Sequence, residues 1–171
     1  MPQLDVTSAA RPFHPRILLP MLSALARAAL PIALVASLAA CSSGGALSPG
    51  LAQRMDMPGA QLNRAEALGI VNGFRTTSGS APLTEDASLD TQAQQLATQY
   101  MNSGKQPAKP AGTLDIRYSA GYFTFAETFS GWRNSPTDAP ALLDKAATKA
   151  GIASVYSAGS PYGVYWVILL G

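Results

Sequence analysis

One stretch, residues 119–143, constrains the fold most strongly, because it carries the start and stop signals of two consecutive helices. Thr124 followed three residues later by Glu127 is the pattern of a capping box, which predicts a helix beginning there. A stripe of aromatic side chains ending at Trp132 then falls on one face of that helix. Such a face requires a hydrophobic core, and Trp132 is its predicted centre.

The same stretch predicts a second helix directly after the first. Ser135-Pro136 ends the first helix, because proline disfavours the helical conformation of the residue before it. Asp138 is then placed to cap the next helix, with Pro140 in the first turn, where a missing N–H costs nothing. We predict that this helix continues to Lys149.

The remaining segments predict further helices and a small sheet. Asn63 can cap a first helix, and an apolar stripe at helical spacing predicts a second over residues 83–104. Alternation of apolar and polar residues over 114–118 predicts a half-exposed strand. Residues 151–156 and 164–170 read as a closing hairpin, and the second of these strands is apolar on both faces, as in a central strand. One domain accounts for this order.

The N-terminal third reads as an export signal and not as part of the fold. Residues 1–40 contain three arginines and an apolar run ending in Leu-Ala-Ala before Cys41, which is typical of a lipoprotein signal. An ordinary signal peptide with a chance cysteine is the alternative. We predict that residues 41–60 are the lipidated Cys41 and a flexible tether, and that residues 61–171 are the domain. The membrane is then a partner, through the lipid.

The charge and the reactive residues exclude several functions. The signal contains three of the 12 basic and one of the 10 acidic residues, which leaves nine of each in the exported part. This balance predicts no nucleic-acid partner. The only histidine is His14, inside the signal, and the only cysteine is Cys41. The exported domain therefore lacks the residues for a Ser-His-Asp or Cys-His nucleophile and for a His-ligated zinc site. Whether translation starts at Met1 or Met21 is left open.

Several motifs occur in the order and spacing of a known family. They are Asn72-Gly73-Phe74-Arg75, Gly121-Tyr122, Thr124, Ala126-Glu127 and Trp132-Arg133-Asn134-Ser135-Pro136. Together they resemble the bacterial branch of the CAP superfamily (cysteine-rich secretory, antigen and pathogenesis-related proteins). The resemblance implies an α+β fold in which an antiparallel sheet lies between helical layers, an α-β-α sandwich.

The resemblance also locates a cavity, and there the match to the family fails. Family members line this cavity with two histidines and one or two glutamates, which bind a divalent metal in some members. Here Ile116 aligns with a family glutamate and Asp138 with a family histidine, while the loop at residues 105–112 contains no histidine. Glu127 is an acid at a position where the family often has one. We therefore expect no metal and no other cofactor.

Seven residues are candidates to line what remains of the cavity: Asp115, Arg117, Tyr122, Glu127, Trp132, Ser135 and Asp138. Simpler structural roles compete for most of them. Glu127 and Asp138 are also helix caps, and Asp115 is also a surface residue paired with its neighbour Arg117. Trp132 is also a core residue.

Three functions are compatible with this sequence. We favour a lipid-anchored binding protein in the periplasm, on the outer membrane of a Gram-negative cell, with a small-molecule, lipid or cell-wall ligand. A cell-envelope hydrolase that uses Glu127 with Asp115 or Asp138 is the alternative, and it requires two carboxylates in one cleft with a perturbed pKa. A structural lipoprotein without a ligand is the third.

Overall fold

A four-stranded mixed sheet lies between helices in residues 47–171, the part of the chain that the computed structural model describes. In chain order the elements are α1 (Pro49–Ala52), α2 (Arg64–Thr77), β1 (Thr84–Glu85), α3 (Ala87–Ser103), β2 (Asp115–Ala120), α4 (Phe125–Asn134), α5 (Asp138–Leu142), β3 (Lys149–Tyr156) and β4 (Val164–Leu170). No helix within these residues combines the length and the apolar character needed to cross a bilayer.

The strand order is β1-β3-β4-β2, so β4 is a central strand. Ile168 of β4 lies opposite Ile152 of β3 on one side and Arg117 of β2 on the other, both antiparallel. β1 adds a short parallel pairing to β3. Every residue of β4 is buried, because helices cover both faces of the sheet. The prediction of a central strand over residues 164–170 is confirmed.

The two faces of the sheet pack against different helices. Alternate residues of β4, including Trp166 and Ile168, join a core with α1, α2, α4 and α5. The intervening residues Val167 and Leu169 pack against α3 on the opposite face. This alternation is the period of two expected of a strand. The predicted α+β sandwich, with the sheet between helical layers, is confirmed.

Helices α2 and α4 begin where the sequence predicted. The Thr124 hydroxyl accepts a hydrogen bond from the Glu127 N–H at 3.2 Å, and the Glu127 carboxylate accepts one from the Thr124 N–H at 3.0 Å. Asn63 caps α2 through its side chain. Trp132 is 2% exposed, and its Nε1 donates to the Tyr118 carbonyl at 3.1 Å, so its predicted place in the core is confirmed.

The predicted start of α3 was wrong. Residues 84–85 form β1 instead of a helical turn, because the Thr84 N–H donates to the Thr148 carbonyl at 2.9 Å. The Asp86 N–H donates to the Ala150 carbonyl at the same distance. The Asp86 side chain caps α3, which therefore begins at Ala87.

The predicted cap and end of α5 were also wrong. Thr137 occupies the cap position, and Asp138 is the first helical residue. The Asp138 N–H donates a hydrogen bond to the Ser135 hydroxyl at 3.2 Å. The helix ends at Leu142, and Lys149 belongs to β3, because its backbone pairs across the sheet.

The flexible tether predicted for residues 41–60 does not extend over the part that the structure describes. Within residues 47–60, α1 packs against α2 and α4. Leu51 and Met55 are 8% and 5% exposed. The Met55 N–H donates to the Phe123 carbonyl at 2.8 Å. Leu47–Gly171 forms one compact unit. Cys41 and the signal at residues 1–40 lie outside the described residues, and their roles stay predictions.

A buried arginine fixes α2 to the turn before β3. Arg75 is fully buried, and its guanidinium donates to backbone carbonyls only. The acceptors are Ala81 at 2.8 Å, Leu142 at 2.5 Å, Asp144 at 3.1 Å and Ala147 at 3.2 Å. Burial lowers the pKa of Arg75, although Asp144 partly opposes this effect. Arginine suits such a site because its fork of five N–H donors can serve several acceptors at once.

Candidate functional site

Three of the predicted cavity residues form a closed ion-pair cluster between β2 and α5. The Arg117 Nη2 lies 2.9 Å from Asp115 Oδ2 and its Nε lies 3.3 Å from Asp138 Oδ1. The first contact is a hydrogen bond, whereas the second lacks hydrogen-bond alignment and is electrostatic. All three side chains are about a quarter exposed. The two carboxylates are therefore engaged by one guanidinium.

Glu127 is engaged elsewhere, at the start of α4. Its Oε2 accepts from the Phe123 N–H at 3.1 Å, from the Thr124 N–H at 3.0 Å and from the Thr124 hydroxyl at 3.0 Å. Burial alone would raise the pKa of Glu127, but these hydrogen bonds, with a smaller effect of Arg54, lower it below its ordinary value. Within residues 47–171, no hydrogen bond or ion pair joins Glu127 to Asp115 or Asp138.

The other three predicted residues occupy separate positions. Trp132 is a core residue, and the Ser135 hydroxyl closes the turn before α5. Tyr122 is 43% exposed, with its ring over Gly131. Tyr122 and Glu127 share a shallow recess of about 360 Å³. The seven candidates are therefore divided among an ion-pair cluster, a helix start, the core, a turn and an exposed recess.

The residues at the family's cavity positions do not fit a divalent metal. Ile116 is 7% exposed and packs against α3, so it offers an apolar side chain where the family has a carboxylate. The Arg117 guanidinium already places a positive charge against Asp138. Among the described residues, no group of three or more His, Cys, Asp or Glu side chains is arranged to hold a metal ion.

A different feature offers room for a ligand. Three adjoining recesses, of about 520, 280 and 210 Å³, run between α3 and the segment at residues 55–64. Gln94 lines all three, Arg64 lines two, and Ser154 of β3 lines two. We call this surface the polar groove. Its other polar lining side chains are Gln61, Glu85, Asp90, Thr91, Gln95 and Tyr156.

Close packing of α3 onto β3 positions the acid at one end of the groove. A Cβ at Gly151 would lie 2.1 Å from the Leu89 carbonyl carbon, so only glycine fits there. This approach lets Asp90, 8% exposed, accept a hydrogen bond from the Ile152 N–H at 2.8 Å. Arg64 donates to the Ile152 carbonyl at 2.9 Å and lies 3.4 Å from Asp90.

Glu85 completes a pair of carboxylates at this end. Partial desolvation raises the pKa of Glu85, the neighbouring carboxylate of Asp90 raises it further, and Arg64 opposes both effects. A neighbouring negative charge disfavours ionisation of Glu85, because like charges repel. The groove therefore combines amide, hydroxyl, guanidinium and carboxyl groups, which suit a polar ligand with many hydrogen-bonding groups.

Sequence reasoning missed this site, although one signal pointed to it. Asp90 lies one turn before Ala93 and two turns before Ala97, on the apolar face of α3. An acid on a buried helical face needs a partner, so its position marks a polar site. The other groove residues come from separate segments, and no local motif joins them.

A family model identifies the family of the chain, and solved structures are similar in fold. Residues 68–170, more than half of the chain, match the model of the cysteine-rich secretory protein family, CAP. No curated protein matches the chain.

Three solved structures are similar in fold. An outer surface protein from Borrelia burgdorferi has a TM-score of 0.54 and 17% identity, over 63% of this chain and 90% of that one. MpPR-1i soaked with selenourea has a TM-score of 0.51 and 22% identity, over 63% and 88%. An extracellular protein containing a SCP domain from Bacillus anthracis str. Ames has a TM-score of 0.51 and 16% identity, over 62% of this chain and 39% of that one.

Proposed function

This chain belongs to the cysteine-rich secretory protein (CAP) family, and we propose that it is a lipid-anchored, non-catalytic binding protein of the cell envelope. Cys41 carries the lipid in this proposal, and the domain faces the periplasm from the outer membrane of a Gram-negative cell. The signal pattern before Cys41 supports the anchor. Similar folds in an outer surface protein and in an extracellular protein are consistent with export.

The polar groove carries the binding proposal. The family's cavity positions are engaged in contacts with one another or with the backbone, whereas the groove offers open volume lined by unlike polar groups. Amide side chains such as Gln94 and Gln95 donate and accept hydrogen bonds, as hydroxyls and amides of a ligand require. We therefore favour a saccharide or peptide of the cell wall over an apolar lipid chain as the ligand.

A blocking substitution tests this proposal. Gln94 lines all three recesses, so Gln94→Trp fills the groove, while Gln99→Trp places the same ring on an exposed position of the same helix outside it. Calorimetric titration of the purified full-length protein with soluble cell-wall glycan and peptide fragments should show binding that Gln94→Trp weakens at least about tenfold, or about 1.4 kcal/mol.

Gln99→Trp should leave the affinity unchanged. Equal losses in the two variants, or no binding of any fragment by the wild type, would count against the groove. Binding of a fatty acid instead would replace the polar ligand with a lipid.

The carboxylates at the end of the groove favour a second candidate, a hydrolase of cell-wall glycans. A carboxyl with a raised pKa beside a buried carboxylate is the pattern of a general acid with its partner. In this candidate Glu85 donates the proton to the leaving group. Release of reducing ends from purified cell wall, lost in Glu85→Gln and retained in Glu127→Gln, would support the hydrolase.

A further inference from the structure

Three exposed aromatic side chains lie together at one end of the sheet, and the groove does not include them. Tyr122, Phe123 and Tyr162 are 43%, 37% and 52% exposed, and we call them the aromatic patch. The first two occupy the turn between β2 and α4, and the third occupies the turn between β3 and β4. A hydrogen bond from the Gly121 N–H to the Val164 carbonyl, at 3.0 Å, joins the two turns.

The two turns lie against each other's rings at two glycines. Gly121 and Gly163 have positive φ angles of 89° and 72°. A Cβ at Gly121 would lie 3.8 Å from the Tyr162 ring, and one at Gly163 would lie 3.9 Å from the Phe123 ring. Each turn therefore supports a ring of the other turn. Arg54 borders the patch, with its guanidinium 4.7 Å from the Phe123 ring centroid.

The backbone beneath the patch is held firmly. The Trp166 Nε1 donates to the Tyr122 carbonyl at 2.9 Å, and the Met55 N–H donates to the Phe123 carbonyl at 2.8 Å. The rings are thus presented on a fixed frame. Exposed, clustered aromatic rings mark interaction surfaces, and tyrosine and arginine beside apolar rings are the composition found at the boundary of a bilayer.

The position where the chain enters the domain favours a membrane as the occupant. The contact of Met55 with Phe123, and the packing of α1 against α4, place the N-terminal end of the domain beside the patch. Leu47 is six residues after Cys41, and six residues span at most about 20 Å. A lipid on Cys41 would therefore hold this end of the domain close to the bilayer surface.

We propose that the aromatic patch rests in the headgroup region of the same membrane that holds the lipid on Cys41. This inference depends on the lipid anchor of the proposed function. The anchor confines the patch near the surface, so a contact too weak to bind a free domain is populated in the anchored one.

Footprinting of the lipidated full-length protein in phosphatidylethanolamine–phosphatidylglycerol vesicles tests the proposal. A protease site inserted between Ser43 and Gly44 lets the same sample be labelled with hydroxyl radicals before and after release from the vesicle. Leu114 is the internal control: it is 40% exposed and lies at the opposite end of β2 from Gly121. If the patch contacts the membrane about two thirds of the time, it is labelled at roughly a third of its free rate, so release should raise labelling of the three patch residues roughly threefold. Labelling of Leu114 should not change.

The outcomes separate the two proposals. A protein that does not associate with vesicles before cleavage refutes the anchor. A protein that is anchored, but whose patch is labelled equally before and after release, refutes the membrane contact alone. If that equal labelling is low both before and after release, a second copy of the chain covers the patch, which also overturns the membrane contact. Tyr162→Ser with Phe123→Ser should remove the difference at Tyr122, and an unchanged difference in that variant is a further refutation.

Discussion

Replacing the buried Arg75 with methionine should unfold the domain or bring it close to unfolding. The guanidinium makes four hydrogen bonds to backbone carbonyls, and methionine has similar length but no donor. Each of these hydrogen bonds contributes about 1–1.5 kcal/mol, so the loss is about 4–6 kcal/mol. The free energy of unfolding of a small domain is about 5–15 kcal/mol.

Urea and thermal unfolding of purified protein, followed by tryptophan fluorescence, measure this loss. At roughly 3–4 °C per kcal/mol, the midpoint should fall by about 12–24 °C. Arg133→Met is the matched control, because Arg133 is exposed and its guanidinium only borders the Phe129 ring at 5.9 Å; it should cost less than about 1 kcal/mol. Arg75→Lys should recover part of the loss, since an ammonium has three donors.

The pH dependence separates this explanation from an ordinary ion pair. Backbone carbonyls do not titrate, so the cost of Arg75→Met should be the same at neutral pH and below the ordinary aspartate pKa of about 3.9. If the charge of Asp144 supplied the stabilisation, the cost would shrink in acid. The reasoning would be refuted if Arg75→Met melted within about 3 °C of the wild type, which is a cost of about 1 kcal/mol on the same scale. It would also be refuted if the cost disappeared at low pH.

Four further predictions follow from the same structure and sequence. Cys41→Ala should release the protein from the membrane fraction or block its maturation, as fractionation and immunoblotting would show. Trp132→Ala should cost about 3–5 kcal/mol in unfolding free energy, whereas unaltered melting with loss of a ligand would make Trp132 a binding residue. The pKa of Glu85 is raised in the folded state, so protonated Glu85 stabilises the fold below its unfolded pKa, and this stabilisation is lost as pH rises through the folded pKa. Glu85→Gln cannot lose it, so urea titrations should show the variant gaining stability relative to wild type from acid to neutral pH. Purified protein should contain no stoichiometric zinc, its melting temperature should not change with a chelator, and Asp138→His should not create tight zinc binding by elemental analysis.

The sequence predicted those parts of the fold that depend on neighbouring residues. The capping box at Thr124 and Glu127, the end of α3 at Gly104 and the buried strand β4 all follow from signals within a few positions. Their physical basis is local: a cap satisfies N–H groups of its own helix, and a strand buried on both faces is apolar throughout.

The errors arose where distant segments decide the outcome. Thr84 and Glu85 read as a helical turn, but the backbone of β3 pairs with them. Asp138 read as a cap, but Arg117 of β2 lies beside its carboxylate. Leu51 read as part of a tether because its neighbours are small, although it reaches the core. Apart from the position of Asp90 on the apolar face of α3, the polar groove could not be predicted for the same reason, since its lining comes together only in the folded chain.

The central position of β4 has a consequence for the order of assembly. β2 and β3 do not pair with each other; each pairs with β4, which follows both in the chain. During synthesis neither strand can complete its pairing until residues 164–170 have left the ribosome, and such long-range contacts form slowly. Such late completion of the sheet suits the export that we propose, because a membrane channel admits an extended polypeptide and not a folded domain.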